Sequence, residues 1–477
     1  GNATPRFDQQ VIFTGGQGYS CFRIPAVVRS TKGTLLAFAE GRIDNCGDTG
    51  DIDLVLRRSL DGGRTWGPLQ VVNKGGGDTH GNPVPIVDAA SGRIVLVTTY
   101  NKGRADDKPC DVPCPRTPHQ QFSDDDGVHW SAAQDISAQA KKPDWDSWYA
   151  SGPVHGIQLT HGPHAGRLVF GVNAETSDGT EPVANHAGLV YSDDVGATWH
   201  VGAVSTFPVS GSYTQKPSEV TVVELANGDI YANGREQGGT DVGNRDHAIS
   251  KDGGETFSTP FTTIPDLVTP MVQGSLLRLA DNRILFSSPS DTDRRRWMMI
   301  RSSYDNAHTW DTTEQGTLVT TDWSGYSDMV QISDTEIGLM YEGGAVDARD
   351  EIRFARFTEE DLTPHRTFPT TPDTSAAHAN AMVLGGASVT AGKYGNALKL
   401  DGVDDYVRVP YDKAQLPGAG DLTFTGWFRY GTTRTNQVIF WLGGMGGTAP
   451  QLWLRGEPAN KRLIAMMTTA KGSASVV

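Results

Sequence analysis

"SLDGGRTW", Ser59–Trp66, is the stretch on which the reading of the fold turns. Alone it is a tight turn between two strands, because Asp-Gly and Gly-Gly suit the backbone of short hairpins. The chain writes it five times: "SDDDGVHW" runs from Ser123 to Trp130, "SDDVGATW" from Ser192 to Trp199, "SKDGGETF" from Ser250 to Phe257 and "SYDNAHTW" from Ser303 to Trp310. The shared skeleton is S-x-D-x-G-x-T-W, with His129 standing for Thr, Phe257 for Trp and Ala307 for Gly. The physics is that of a fold element. The Asp caps backbone amides of the turn, the Gly takes a backbone angle that other residues avoid, and the aromatic packs back between strands. Each copy closes an alternating run such as "DIDLVLRRS" (51–59) or "HAGLVYS" (186–192). A unit of several strands recurring every ~50–70 residues reads as a propeller. The boxes speak to architecture and leave the chemistry open.

Composition agrees. The chain has 477 residues with 56 Gly and 26 Pro, which favours many short elements joined by turns over long helices. No apolar run reaches the roughly 20 residues of a membrane span, and no secretory signal opens the chain, which reads as a mature, trimmed or cytosolic protein. The net charge of −15 argues against nucleic acid as a partner. An anionic ligand would need a local cluster of Arg working against the global field. Cys21, Cys46, Cys110 and Cys114 are either free thiols or two disulfides, for which Cys21–Cys46 with Cys110–Cys114 is the expected pairing. No Cys or His spacing suggests zinc.

"YSCFRIPAVV" (19–28) places Phe-Arg-Ile-Pro ahead of the first box. With the repeated boxes, this combination resembles the bacterial and animal sialidases over roughly residues 7–360. The resemblance implies a six-bladed β-propeller with the active site at the centre of one face. It also implies a substrate, sialic acid, that bears a carboxylate on its anomeric carbon. Arg suits that group, because its planar fork stays charged and can bind bidentately. The family uses three Arg. The first corresponds to Arg23 of "FRIP". The second corresponds to Arg235, which follows Glu219 in "QKPSEVTVVELANGDIYANGREQGG". The third lies in "SDTDRRRWMMIRSSYD", where counting back from the strand at Met298–Ile300, and the alternation that puts 295 and 299 on one face, selects Arg295 over Arg296.

The family's nucleophile is a Tyr, an exception among glycosidases. A charged carboxylate would be repelled by the substrate's own, whereas a neutral phenol is not, though it needs a base because its pKa lies near 10. Tyr326 in "SGYSDMVQI" fits this role, with Glu219 as its base; Tyr341 and Glu224 are the competitors. The acid/base corresponds to Asp48 in the loop "RIDNCGDTGDIDL", with Asp44 and Asp51 within reach, and Arg42 of "AEGR" resembles a residue that helps hold the substrate. His80, His155, Trp145 and Trp148 are weaker pocket candidates.

After "DLTPHRTFPTTPDTSAAHA" the composition shifts to that of a linker, giving boundaries of 1–363 for the propeller, 364–378 for the linker and 379–477 for a second module. "ALKLDG", "DYVRVP" and "LTFTGWFRY" read as strands of a β-sandwich. They resemble the concanavalin-like, laminin-G-like jelly roll appended to secreted glycosidases, here an incomplete one. The whole implies a secreted, extracellular exo-α-sialidase acting on sialylated glycans with retention of configuration through a tyrosyl-linked intermediate, without metal or cofactor. The alternatives are a trans-sialidase, an enzyme releasing an anhydro sugar, and a non-catalytic carbohydrate-binding propeller.

Overall fold

Each alternating run that leads into a box is a strand, and each box connects it to the next. Ile52–Ser59, Thr117–Ser123, Pro182–Ser192, Arg245–Ser250 and Met298–Ser303 precede the five boxes. The computed structural model describes residues 7–103, 116–209, 215–239, 243–264, 267–292 and 294–362. In the C-terminal part it describes 370–372, 374–375, 381–384, 386–403, 405–409, 421–434, 436–443, 451–469 and 471–477. The chain divides into two units, Gly1–Thr367 and Phe368–Val477. No helix among the described residues is long and apolar enough to cross a membrane.

In the first unit the strands form six successive antiparallel meanders. Their first strands are Cys21–Arg29, Thr79–Val87, Trp148–Ser151, Gln215–Glu224, Ser275–Arg278 and Trp323–Gln331. The sixth meander takes its last strand from the start of the chain: Asp8–Thr14 pairs antiparallel with Glu351–Thr358. The first strands lie against their neighbours around a ring, except that the third meander meets Gln215–Glu224 through its second strand, Leu168–Ser177, and Trp323–Gln331 returns to Cys21–Arg29. Closing the ring with the chain's own beginning leaves no unpaired edge between first and last meander.

Apolar clusters fill the spaces between adjacent meanders. Ala26, Phe38, Leu56 and Leu96 join the first to the second, Val84, Val97, Phe170 and Val172 the second to the third, and Phe22, Met340 and Phe354 the first to the sixth. Asp328, fully buried, ties the ring together at its centre. It accepts hydrogen bonds from Val27 N of the first meander at 2.9 Å and Ser275 Oγ of the fifth at 2.8 Å, and pairs with His155 Nδ1 of the third at 2.6 Å.

The five boxes share one hydrogen-bond pattern. In the first, Ser59 Oγ accepts from Gly63 N and donates to Asp61 Oδ1, both at 2.8 Å, while Asp61 also accepts from Thr65 N at 2.8 Å and Thr65 Oγ1 at 2.5 Å. The same pattern is built on Asp125, Asp194, Asp252 and Asp305, with the ring of His129 replacing the Thr hydroxyl in the second box. The box aromatics reach the preceding meander. Trp66 packs edge-on against Phe354 with centroids 5.1 Å apart, Trp130 packs on Phe38 at 5.7 Å, and Trp199 donates to Gln120 at 2.7 Å. Each box is therefore a turn and a staple to its neighbour, which is why the chain repeats it.

The second unit holds a four-stranded antiparallel sheet over Gln437–Gly443, Gln451–Glu457, Arg462–Thr469 and Gly472–Val476. Short strands stand at Asn396–Lys399 and Tyr406–Arg408, within two of the expected segments. The expected strand "LTFTGWFRY" is not one: residues 421–430 carry no ladder, and Phe424, Trp427 and Phe428 are exposed. Apolar alternation alone does not make a strand without a partner to take its backbone hydrogen bonds.

Gly63 has φ +84°, and a Cβ there would sit 2.5 Å from Phe354 Cε1. Gly63→Ala combines left-handed strain with a clash at a meander interface and is expected to lower stability by about 2–4 kcal/mol, read by urea unfolding. A loss below about 0.5 kcal/mol would show that the boxes do not staple the ring.

Candidate active site

The boxes and the chemistry lie at opposite ends of the strands. The boxes follow the third strands of the first five meanders, whereas Arg23, Glu219 and Tyr326 stand in the first halves of first strands. Arg42 ends the second strand, Leu35–Arg42, and Asp48 and Arg295 lie in loops between second and third strands, which puts them all at that same end.

Four of the first strands are bulged there, each with two residues facing one. Ile24 and Pro25 face Ala39, Asn82 and Pro83 face Thr98, Ser218 and Glu219 face Arg235, and Gly325 and Tyr326 face Glu342. A bulge re-aims a side chain that regular pleating would send elsewhere. Here it turns Glu219 and Tyr326 toward the axis. Gly325 is required, because a Cβ would sit 2.5 Å from Glu342 Oε1. Ile24 is held at φ +60°, an unusual angle for a β-branched residue.

Tyr326 Oη donates to Glu219 Oε1 at 2.7 Å, and Arg235 Nη1 bridges the two, 2.9 Å from Glu219 Oε1 and 3.0 Å from Tyr326 Oη. The Arg23 guanidinium lies 4.7 Å from the Tyr326 ring centroid and that of Arg295 lies 5.4 Å from it. Arg23 is gripped by Glu342 through Nε at 2.9 Å and Nη2 at 3.1 Å. Arg295 is held by the Met271 carbonyl at 3.1 Å. Arg42 donates to Glu40 and, through Nη1, to Asp48 Oδ1 at 2.7 Å, while Arg23 Nη1 reaches the same oxygen at 3.4 Å. Arg23, Asp48, Arg295, Trp323 and Glu342 line an open cavity of about 580 Å³. The disulfide Cys21–Cys46 ties the Asp48 loop to the strand that carries Arg23; Cys110 and Cys114 lie outside the described residues.

Burial, reinforced by the Glu219 carboxylate, pushes the Tyr326 phenol up to about 12 against the pull of the three arginines. At neutral pH it is therefore neutral and can attack only if its proton is taken. Burial would raise Asp48, but Arg42 and Arg23 outweigh it and hold the carboxyl below the usual aspartate range. The Asp48 side chain is 70% exposed, so solvent screens these attractions.

The structure thus brings Arg23, Arg42, Asp48, Glu219, Arg235, Arg295 and Tyr326 to one end of the ring. Arg296 points elsewhere, to Asp291 at 2.6 Å and over Trp297 at 4.1 Å. The pleat argument used to choose between these arginines does not apply, because Trp297, at φ +62°, interrupts the extended run before the strand at Met298. Glu224 ends the inner strand at the far end, where it accepts from Thr160 Oγ1 at 2.6 Å. Tyr341 is buried and donates to Gln9 at 2.5 Å. Trp145 is core, 1% exposed, rather than pocket rim. Sequence reasoning missed Glu342, whose one signal is an acid inside the apolar run "IGLMYEGG". It also missed Glu40 and Arg116. Arg116, a lone basic residue before a strand, carries no signal.

A model of the BNR repeat-like domain matches residues 33–339. The chain is 31% identical to a sialidase of Micromonospora viridifaciens over 73% of its own length and 53% of that protein's. It is 30% identical to an exo-alpha-sialidase of Aspergillus fumigatus over 69% of its length and 80% of that protein's. The chain thus spans about half of the first relative and four fifths of the second. Among solved structures, a Hadza microbial sialidase superposes with a TM-score of 0.60 at 26% identity, covering 72% of this chain and 67% of that one. The all-β ring is a β-propeller, and the chain belongs to the sialidase family of glycoside hydrolases.

Proposed function

We propose that this protein is a secreted exo-α-sialidase, its six meanders the blades of one propeller, which removes terminal sialic acids from glycans with retention of configuration. The observation that carries this reading is the 2.7 Å contact of Tyr326 Oη with Glu219 Oε1, made beside Arg23, Arg235 and Arg295. A sugar-binding propeller would need the arginines. It would not need a buried phenol pressed against a carboxylate.

The three guanidinium groups hold the substrate carboxylate and place the anomeric carbon at Tyr326. Tyr326 oxygen attacks that carbon as its proton passes to Glu219. The bond to the leaving oxygen breaks, and Asp48 gives that oxygen its proton. In the second half Asp48 takes a proton from water, whose oxygen attacks the anomeric carbon. Tyr326 departs and recovers its proton from Glu219. Two displacements on one carbon restore the α configuration. The ligand-free protein holds Asp48 ionised on Arg42 and Arg23. A substrate carboxylate that neutralises Arg23 weakens that hold, so binding itself favours the protonated acid that the first step needs. The C-terminal unit, whose four-stranded sheet carries the exposed Trp441, is read as a sandwich module that contacts sugar.

Two outcomes follow. On a fluorogenic sialoside, Tyr326→Phe is expected to abolish turnover and Glu219→Gln to lower kcat about 10²–10⁴-fold. An inert wild type would end the enzyme reading, and a fully active Tyr326→Phe would end the nucleophile assignment. In a carboxyl NMR titration of the ligand-free protein, Asp48 is expected below the ordinary aspartate value of about 3.9 and to rise in Arg42→Met. Its contribution to stability is present above that ordinary value and is lost as pH falls through the lowered one. An Asp48 titration unmoved by Arg42→Met would contradict the pairing.

A further inference from the structure

Glu40 is a buried acid that none of the catalytic steps above uses. It stands two residues before Arg42 on Leu35–Arg42, so the pleat puts both side chains on one face of the strand. There Glu40 Oε1 accepts from Arg42 Nε at 3.1 Å and from Arg42 Nη2 at 3.0 Å. The other edge of the same guanidinium serves the loop: Arg42 Nη1 donates to Asp48 Oδ1 and to the Cys46 carbonyl, both at 2.7 Å. One cation is therefore shared by two carboxylates. Glu40 is buried and fixed, and Asp48 is exposed and placed to move a proton.

Glu40 is anchored from a further side. Its Oε2 accepts from Asn82 N at 2.9 Å, and Asn82, at φ +49°, sits in the bulge of the second meander's first strand. The approach needs a bare backbone beside it, because a Cβ at Gly81 would collide with the Glu40 carboxylate. Glu342 is built the same way at the preceding seam. It takes the amide of Ile24, at φ +60° on the next meander, and grips Arg23. Each of these buried acids thus joins two meanders, secures a left-handed residue and holds an arginine. Glu342 holds an arginine of the carboxylate clamp, whereas the arginine held by Glu40 points at the acid.

That placement has an electrostatic consequence. Arg42, Arg23, Arg116 and Arg349 all act on Asp48, and every one of them favours its anion. Only the protonated carboxyl can give a proton to the leaving oxygen. Glu40 works against the four cations. It engages the Nε edge of Arg42, and its own charge acts on Arg116 as well. With Glu40 made neutral, Asp48 would be the one carboxylate left on Arg42 among the described residues, and that pair would tighten.

We propose that Glu40 is a positioning residue for the acid step: it aims Arg42 Nη1 at Asp48 and shares the cation, so that Asp48 is held in place without being locked as the anion. This rests on the sialidase reading above and deepens it.

The test compares two sialosides with the same sialyl group, one with a sugar and one with an aryl leaving group. A departing sugar oxygen must be protonated, whereas an aryl oxide leaves largely unaided. Effects on sialyl binding cancel in the ratio of the two kcat/KM values, sugar over aryl. At neutral pH, Glu40→Gln is expected to lower this ratio about 10-fold, and carboxyl NMR of the ligand-free variant to show Asp48 titrating roughly one pH unit lower. Glu40→Asp keeps the charge and is expected to stay near the wild-type ratio. An unchanged ratio in Glu40→Gln, or one that falls as far in Glu40→Asp, would overturn the proposal and leave Glu40 a packing residue. Arg42→Met with and without Glu40→Gln carries the test even if Glu40→Gln alone does not fold. Because Glu40 acts through Arg42, these two variants are expected to share one ratio, and a further 10-fold loss in the double variant would overturn the proposal. If the wild type cleaves neither sialoside, the hydrolase reading fails and the titration decides the Glu40–Arg42–Asp48 link: a lowered Asp48 upholds it and an unmoved Asp48 ends it. If the wild type is active and the ratio does not move, the Glu40 assignment alone fails.

Discussion

The carboxylate of Glu342 is the point on which the site depends. It accepts Arg23 Nε and Nη2, the backbone amide of Ile24 at 2.9 Å and that of Tyr326 at 2.8 Å. One buried acid therefore orients the first clamp arginine, holds the left-handed turn at Ile24 and secures the bulge that aims the nucleophile candidate. A buried pair of this kind adds little net stability, but removing one partner leaves an uncompensated charge worth roughly 3–5 kcal/mol. Its value lies in geometry. Arg23 and Tyr326 come from the first and the last meander, and Glu342 makes them neighbours at the seam where the ring closes.

The fold separates the tasks of the two ends of the strands. At one end the boxes repeat one turn and send an aromatic to the preceding meander, so stability is distributed around the ring in similar increments. At the other end nothing repeats. The loops differ in length, four of the first strands are bulged, and Arg, Glu, Tyr and Asp converge. Strain of the kind seen at Ile24 and Trp297 persists because well-packed interfaces below it determine the backbone from both sides.

Much of this could be read from the chain. The boxes encode their own hydrogen bonds locally, within a few residues, so their pattern survives in the linear text. The motif around Arg23 and the order of Glu219, Arg235 and Tyr326 are legible for the same reason. The Arg run was harder, because alternation counts only while the backbone stays extended, and Trp297 breaks it. "LTFTGWFRY" failed for lack of a partner strand, and Trp145 was a pocket candidate although the second and third meanders enclose it. Glu342 and Arg116 were missed because their significance lies in what surrounds them.

The amino-acid order by itself determined the repeat, the all-β class, the closing turns and the inventory of groups able to bind an acidic sugar, since each depends on residues close together in the chain. Only the tertiary structure decided which of those groups meet. It placed two bulges opposite Arg235 and Glu342, set Tyr326 against Glu219 from 107 residues away, and laid the Arg116 guanidinium over the ring of Trp148. Those outcomes follow from ring closure, which sets distances between strands that no local pattern records.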